Sequence, residues 1–395
     1  MAIRTPSGEL QDPGSPVRRI PTDPPDPDPT TGIGLCLSGG GYRAMLFHLG
    51  ALWRLNEFGM LPKLDRISSV SGGSITSAVV GMNWAKLAFD SNGVGQGFGQ
   101  AVVDPIRRMA DRTIDLPAVL LGLLQLGLRG SQTGRFYAQT LFGNATLQDL
   151  PPSPPSPRFV INATSLQSGV LWRFSKPYMW DYRVGKIPNA KTPLATAVAA
   201  SSAFPPFLSP VFLNPSPSDF EPGTGLDLQF VPYTSEVVLT DGGVYDNLGL
   251  ETVWKQCRTV LISDGGGSTG ASPRPHANWF SQVYRVLMVI DNQVGALRKR
   301  QAIDGFVSNR RLGTYWGIAS HIDDYNAPNA LPASSGATSK LAAVATRLKH
   351  LDAQTQEMVI NWGYAVCDAA IRRHVDGSLP APTAFPYPAA GVGTG

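Results

Sequence analysis

The chain has 395 residues, of which 43% are hydrophobic and 16% are charged, so it is long enough to bury a large core and does not have the composition of a disordered protein. Its 33 basic and 29 acidic residues are spread along the chain and give a formal net charge of +4, which argues against a nucleic-acid partner. Three cysteines at unrelated spacings predict neither a disulfide framework nor a metal site and favour a cytoplasmic protein.

The first 31 residues are rich in proline and aspartate and contain no apolar core. They predict an N-terminal arm over residues 1–31 and argue against a secretory signal peptide.

Two units of strand, glycine turn and helix follow this arm. The first strand, over residues 32–38, leads into three glycines and a helical pattern over residues 42–58. The second strand, over residues 66–70, leads into the sequence SGGS and another apolar helix. Such repeats predict an α/β fold with a parallel sheet, in which functional residues collect at the carboxyl ends of the strands.

The rest of the chain predicts one large domain over residues 32–375. It contains a mainly helical insertion over about residues 100–150, further strands, and C-terminal helices over about residues 277–375. Residues 376–395 predict a flexible tail. The longest apolar run, residues 116–128, is shorter than the roughly 20 residues needed to cross a bilayer, so no transmembrane span is predicted.

Ser71 lies where a β-branched strand ends and a helix begins, with Ser69 two residues before it and Gly73 two residues after it. A tight turn of this kind lifts a serine hydroxyl out of the sheet and exposes it as a nucleophile. The usual pattern is G-x-S-x-G, whereas this chain has S-V-S-G-G, so the match is partial. A polar turn that only caps the helix is the alternative.

Gly39, Gly40 and Gly41 open the first helix, where backbone N–H groups can hold an anion such as a phosphate or a developing oxyanion. With Ala44 they also fit the dinucleotide pattern G-x-G-x-x-A, which predicts a nucleotide-binding protein instead. That pattern requires an acidic residue near the end of the second strand, and here the strand ends at Ser71. An oxyanion hole is therefore favoured, and a turn that only permits close helix packing is a further alternative.

Asp241 and Asp264 each follow a strand signal and precede a run of glycines. If the strands are parallel, Asp241 lies at the same sheet edge as Ser71, where a carboxylate in a water-poor pocket could act as a base. The pattern alone does not separate the two aspartates.

A histidine base is disfavoured. Four histidines do not follow a strand in a glycine-flanked turn, and the fifth, His48, lies within the first helix, where a structural role is expected. No pair of histidines or cysteines has the spacing of zinc ligands, so neither a metal nor an organic cofactor is predicted.

The segments GGGYRA, SVSGG and DGGVYDNLG, taken together and in this order, resemble the signature of the patatin-like phospholipases. The resemblance covers roughly residues 32–265. It implies a three-layer α/β/α fold with a central, mostly parallel sheet, and a serine-aspartate dyad in which Ser71 is the nucleophile and Asp241 the base. Asp264 is set aside because only the residues after Asp241 match. The glycines that the resemblance assigns to the oxyanion hole and to the turns are Gly39, Gly40, Gly41, Gly72, Gly73, Gly242 and Gly243.

The implied reaction is hydrolysis of carboxylic esters of lipids through an acyl-enzyme, as in a phospholipase A, lysophospholipase or esterase, with acyl transfer to an alcohol as an alternative. Arg43 is expected either to steady the glycine loop or a substrate phosphate, or to form a surface ion pair. Residues 116–128 or the basic cluster Arg298, Lys299 and Arg300 could provide peripheral membrane contact. A core helix and a charged helix end, respectively, are the favoured alternatives.

Overall fold

A computed structural model describes residues 3–4, 10–11, 29–114, 129–206, 208–267 and 270–393. The apolar run over residues 116–128 lies outside the described residues, as does almost all of the predicted N-terminal arm. The predicted domain limits stay predictions.

Strands and helices alternate in the first and last parts of the chain, and four consecutive strands lie between them. The described strands are β1 (Ile3–Arg4), β2 (Leu10–Gln11), β3 (Ile33–Leu37), β4 (Arg66–Ser69), β5 (Arg158–Ser165), β6 (Leu171–Phe174), β7 (Tyr178–Asp181), β8 (Gly185–Pro188), β9 (Val211–Leu213), β10 (Val237–Asp241), β11 (Thr259–Asp264) and β12 (Leu312–Gly317). The described α-helices are α1 (Gly41–Glu57), α2 (Gly72–Met82), α3 (Asp104–Ala110), α4 (Arg129–Tyr137), α5 (Leu194–Ser201), α6 (Gly243–Asp246), α7 (Glu251–Trp254), α8 (Trp279–Val307), α9 (Ser335–Ala342) and α10 (Ala353–His374).

One mixed sheet contains all the described strands except β1 and β2, which pair with each other. Its strand order is β12-β11-β3-β4-β5-β6-β7-β8. The neighbours from β12 to β5 are parallel, and those from β5 to β8 are antiparallel. The predicted parallel sheet therefore forms in the half that includes the two strand-glycine-helix units, and the other half is built from antiparallel strands.

Helices cover both faces of the sheet, which gives the predicted three-layer α/β/α fold. Because side chains alternate along a strand, Leu35 and Leu37 of β3 point to one face and Cys36 points to the other. The two leucines join the larger apolar cluster with α1, α2 and α10, while Cys36 joins a smaller cluster with α7 and Ala302 of α8. No helix in the described part of the chain is long and apolar enough to cross a membrane.

Strands β4 and β10 lie end to end along the same side of β5. Ser69 at the end of β4 pairs with Ile161, and Asp241 at the end of β10 pairs with Ala163. The first pairing is parallel and the second antiparallel, so the two strands run towards each other and stop about 7 Å apart along β5. The sequence analysis assumed parallel strands when it placed Asp241 at the same sheet edge as Ser71. This assumption is wrong, because β10 is antiparallel to β5. Strand β5 has eight residues and is long enough to pair with both shorter strands on one side.

Residues after α10 pack back onto that helix. The side-chain amide of Asn361 donates to the carbonyl oxygens of Tyr387 and Ala390, and the Ser334 N–H donates to the carbonyl of Val392. Much of the segment predicted as a flexible tail thus contacts the domain in this structure.

Candidate active site

Ser71 occupies a strained turn between β4 and α2. Its backbone has φ 50° and ψ −117°, a region that side-chain-bearing residues seldom adopt, and the residue is 9% exposed. Its N–H donates to Oγ of Ser201 at 2.9 Å, and the Ser201 hydroxyl donates to the carbonyl of Asn162 at 2.6 Å. The surrounding structure therefore holds Ser71 in the conformation of a nucleophile elbow.

The two glycines after Ser71 let this turn press against the loop that follows β3. A Cβ atom on Gly72 would lie 2.1 Å from the carbonyl oxygen of Gly41, and one on Gly73 would lie 2.5 Å from that of Leu37. Any side chain at either position would collide with backbone. The close approach brings Ser71 beside the glycine loop.

The loop between β3 and α1 needs glycine for its backbone conformation. Gly40 has φ 145° and Gly41 has φ 63°, and both line the same cavity as Ser71. The N–H of Gly39, however, donates to the carbonyl of Asn247 at 3.0 Å. In contrast to the prediction, the N–H of Gly39 is engaged within the protein, because the segment after α6 crosses it, and Gly40 and Gly41 remain as candidate oxyanion donors.

Asp241 ends β10 and is buried beside Ser71. Its carboxylate accepts a hydrogen bond from the Gly243 N–H at 2.7 Å and lies close enough to the Ser71 hydroxyl for that group to affect its pKa. No lysine or arginine of the described chain forms an ion pair with it. Burial raises the pKa of Asp241 to about 7, the charge of Asp291 adds to this rise, and the Gly243 N–H and the Ser71 hydroxyl oppose it. A carboxylate with a pKa near neutrality is well suited to act as a general base.

The glycines after Asp241 are also required by close packing. A Cβ atom on Gly242 would lie 2.4 Å from the carbonyl oxygen of Asn162, and one on Gly243 would lie 2.7 Å from Oδ1 of Asn247. The absence of side chains at these two positions lets the end of β10 lie against β5 and the segment after α6.

Asp264 ends β11 but has different neighbours. It forms an ion pair with Lys299 at 2.7 Å and accepts hydrogen bonds from the Tyr315 hydroxyl at 2.7 Å and from the Gly266 N–H at 2.9 Å. Burial alone would raise the pKa of Asp264, but the charge of Lys299 and these hydrogen bonds outweigh it and lower the pKa below its ordinary value. Asp264 is thus a paired structural carboxylate.

Arg43 lies inside the protein, so the alternative of a surface ion pair is wrong. Its guanidinium donates to the carbonyl of Gly265 at 3.1 Å, to Oγ1 of Thr346 at 2.9 Å, and to the carbonyls of Ala342 and Val344. Burial lowers its pKa to about 10. These bonds tie the start of α1 to two loops beside the cavity and use all three guanidinium nitrogens.

His48 of α1 is fully buried in the protein core, which agrees with the structural role expected for it. Its ring nitrogens lie 2.8 Å from Oγ of Ser263 and 2.9 Å from the carbonyl oxygen of Ser38, and burial lowers its pKa to about 4. The described residues that line the cavity include no histidine, and the described chain contains no cluster of three acidic, histidine or cysteine side chains that could hold a metal ion.

Two residues of the basic cluster form ion pairs within the protein. Arg298 forms an ion pair with Glu251 at 3.1 Å and lies 3.9 Å from Asp246, while Lys299 pairs with Asp264. The alternative of a charged helix end is also wrong, because α8 continues to Val307. Of the three residues, only Arg300 is exposed.

The cavity has a volume of about 480 Å³ and a mixed lining. Its polar lining includes Ser71, Asp241, Gly40 and Gly41. Its apolar lining includes Phe204, Leu208, Met288 and Leu348. A pocket of this size can take a ligand the size of a short acyl ester.

The sequence analysis missed further polar residues of the cavity, which include Asp291, Asn247, Ser202, Thr346 and Arg347. Asp291 of α8 lines it, and burial together with the charge of Asp264 raises the pKa of Asp291 to about 6. The sequence signal that could have identified Asp291 is its place as a single acidic residue directly after an apolar run in a predicted helix. Asn247 also lines the cavity and lies within the DGGVYDNLG segment.

Comparisons with known proteins agree with this arrangement of segments. A family model described as patatin-like phospholipase matches residues 35–254, which is more than half of the chain. The chain is 40% identical over 57 residues to a Saccharomyces cerevisiae protein provisionally named meiotic phospholipase SPO1, an alignment that covers 14% of this chain and 8% of the yeast protein.

Two solved structures are also similar. Human GIVD cytosolic phospholipase A2 in complex with methyl gamma-linolenyl fluorophosphonate has a TM-score of 0.47 and 13% identity, over 87% of this chain and 58% of that chain. VipD from Legionella pneumophila has a TM-score of 0.37 and 14% identity, over 94% of this chain and 70% of that chain. The chain therefore spans a small part of the yeast protein and under two thirds of the human enzyme.

Proposed function

The chain belongs to the patatin-like phospholipase family, and from this premise we propose that it is a lipid acyl hydrolase that uses Ser71 and Asp241 as a catalytic dyad. The observation that carries the proposal is the strained Ser71 beside a buried carboxylate, Asp241, which forms no ion pair with any lysine or arginine in the described part of the chain. Together with Gly40 and Gly41 in the same cavity, these residues supply a nucleophile, a base and oxyanion donors.

In the first half of the proposed reaction, Oγ of Ser71 attacks the ester carbonyl carbon while Asp241 takes the hydroxyl proton. The N–H groups of Gly40 and Gly41 stabilise the oxyanion, the ester C–O bond breaks, and the protonated Asp241 returns the proton to the departing alkoxide. In the second half, water attacks the acyl-enzyme, its proton passes through Asp241, and Ser71 is released as an alcohol together with the free acid.

Lipid esters are the proposed substrate class for two reasons. The family's description names phospholipases, and the apolar lining of the cavity includes Phe204, Leu208, Met288 and Leu348, which suit an acyl chain. The only role proposed for Arg43 is to hold the glycine loop in place, because its nitrogens already donate to protein oxygens.

Covalent labelling with a fluorophosphonate probe tests the assignment of Ser71. The wild-type protein is expected to label, and Ser71→Ala is expected to lose labelling. The matched control is Ser202→Ala, because Ser202 is a second hydroxyl of the same cavity and donates to the carbonyl of Val198. Labelling of Ser71→Ala at the wild-type rate would refute the dyad.

A further inference from the structure

Helix α8 presents an apolar face to solvent. Its exposed apolar residues recur every three or four positions from Trp279, which is 78% exposed, to Ile290, and the same face continues at Leu297, which is 59% exposed. We name this set the α8 stripe: Trp279, Val283, Val286, Ile290 and Leu297, flanked by the exposed Phe280 and Val289. A contiguous exposed apolar surface of this kind is typical of a docking site.

The opposite side of α8 faces the cavity. Tyr284, Met288 and Asp291 line it, and at about 100° per residue they lie roughly opposite the α8 stripe. On the inward side, the ion pairs of Arg298 with Glu251 and of Lys299 with Asp264 hold the helix in this orientation. One helix therefore forms a wall of the candidate active site and also carries the exposed apolar stripe.

The exposed charges around the α8 stripe are mainly positive. Arg274 precedes the helix, Arg300 lies about 60° around the helix from the stripe on the side of Val289, and Arg310 follows the helix, and all three are exposed. Between residues 270 and 310 the acidic residues are Asp291, which lines the cavity, and the exposed Asp304. An apolar stripe with tryptophan at one end and arginines at its margins is complementary to an anionic lipid surface.

We propose that the α8 stripe docks this protein onto an anionic phospholipid surface, with the cavity on the protein side of the helix. The inference rests on the proposed function, since a lipid hydrolase must approach such a surface. A second copy of the chain is the other occupant considered. Self-pairing through the stripe would bring exposed arginines of like charge into a shared interface, whereas an anionic surface neutralises them.

Vesicle flotation of the full chain tests the docking surface. All variants carry Ser71→Ala, so that binding is measured without lipid consumption. We expect the chain to float with vesicles of phosphatidylcholine mixed with phosphatidylserine. Val286→Glu combined with Ile290→Glu is expected to weaken this binding by about tenfold or more, because two apolar side chains no longer enter the lipid.

Two matched variants separate the apolar and electrostatic contributions. Leu166→Glu, in the turn after β5, replaces an apolar residue that is 54% exposed, as Ile290 is, and is expected to bind like the parent. Arg300→Gln is expected to weaken binding to the anionic vesicles by about fivefold and to leave binding to pure phosphatidylcholine unchanged.

Three results would overturn the inference: no binding by the parent, equal binding by the stripe variant, or a dimer that the stripe variant converts to a monomer without loss of vesicle binding. The last result would assign the stripe to contact between copies. A separate assay with a soluble monomeric ester, in proteins that retain Ser71, distinguishes the two proposals. Absence of ester hydrolysis would contradict the proposed dyad. Absence of flotation with vesicles would contradict the proposed docking by the α8 stripe.

Discussion

Asp241 and Asp264 occupy similar local positions and have opposite electrostatic surroundings. Each ends a strand, precedes glycines and is almost fully buried. Asp264 pairs with Lys299 and Tyr315, and its pKa is lowered despite burial. Asp241 meets Ser71 and a backbone N–H, and burial raises its pKa to about 7. Lys299 of α8 forms an ion pair with Asp264 and not with Asp241. This difference distinguishes the structural carboxylate from the candidate base.

The largest expected effect is on activity. Asp241→Asn removes the proposed base and is expected to lower kcat for ester hydrolysis by about 10³-fold. Asp264→Asn, the matched control, is expected to keep activity within about tenfold, because it lies outside the proposed proton path. Purified variants compared on one soluble ester check this, and similar losses in both would remove the distinction between the two aspartates.

The same two substitutions are expected to change stability in opposite directions at about pH 8. The folded-state pKa of Asp241 lies above its unfolded value, so its stability contribution is present at low pH and is lost as pH rises from about 3.8 to about 7. Asp241→Asn is therefore expected to raise the free energy of unfolding by up to about 4 kcal/mol. Asp264→Asn leaves Lys299 without its partner, so this substitution is expected to lower the free energy of unfolding by about 1–3 kcal/mol.

Urea unfolding at about pH 8 and again at about pH 4 measures both changes. The gain from Asp241→Asn is expected to shrink at the lower pH, where the wild-type carboxyl is already protonated in the folded state. A gain that stays constant with pH would contradict the burial of a charged Asp241.

Activity of the wild-type chain is expected to depend on the protonation of Asp241. Because a base must be unprotonated, kcat/KM is expected to fall about tenfold per pH unit below about pH 7 and to level off above it. Initial rates with a soluble uncharged ester, corrected with Ser71→Ala, check this. A flat profile between about pH 5 and 7 would exclude Asp241 as the titrating base.

The smallest expected effect comes from Asp291. Its negative charge raises the pKa of Asp241, so Asp291→Asn is expected to move the midpoint of the pH profile to lower pH by a fraction of a unit. Asp304→Asn, an exposed carboxylate on the same helix, is the control and is expected to leave the midpoint unchanged. A shift to higher pH in Asp291→Asn would contradict the coupling.

The sequence by itself determined the local turns of the site. The strand that stops before Ser71, the glycines that follow it and the glycine loop after β3 depend on short-range backbone geometry, which a few neighbouring residues specify. The repeated units predicted an α/β fold with a parallel sheet, and the resemblance to the family implied the three-layer arrangement. Asp241 was separable from Asp264 only through the motif that follows it.

Only the tertiary structure decided how these pieces meet. Asp241 reaches Ser71 because β4 and β10 run towards each other along β5, a pairing between strands far apart in the chain. The burial of Arg43 and the engagement of the Gly39 N–H depend on segments roughly 200 or more residues away in sequence. Only the packing of α8 shows that its apolar stripe faces solvent. Long-range packing sets the partner, burial and pKa of each group, and no local pattern encodes it.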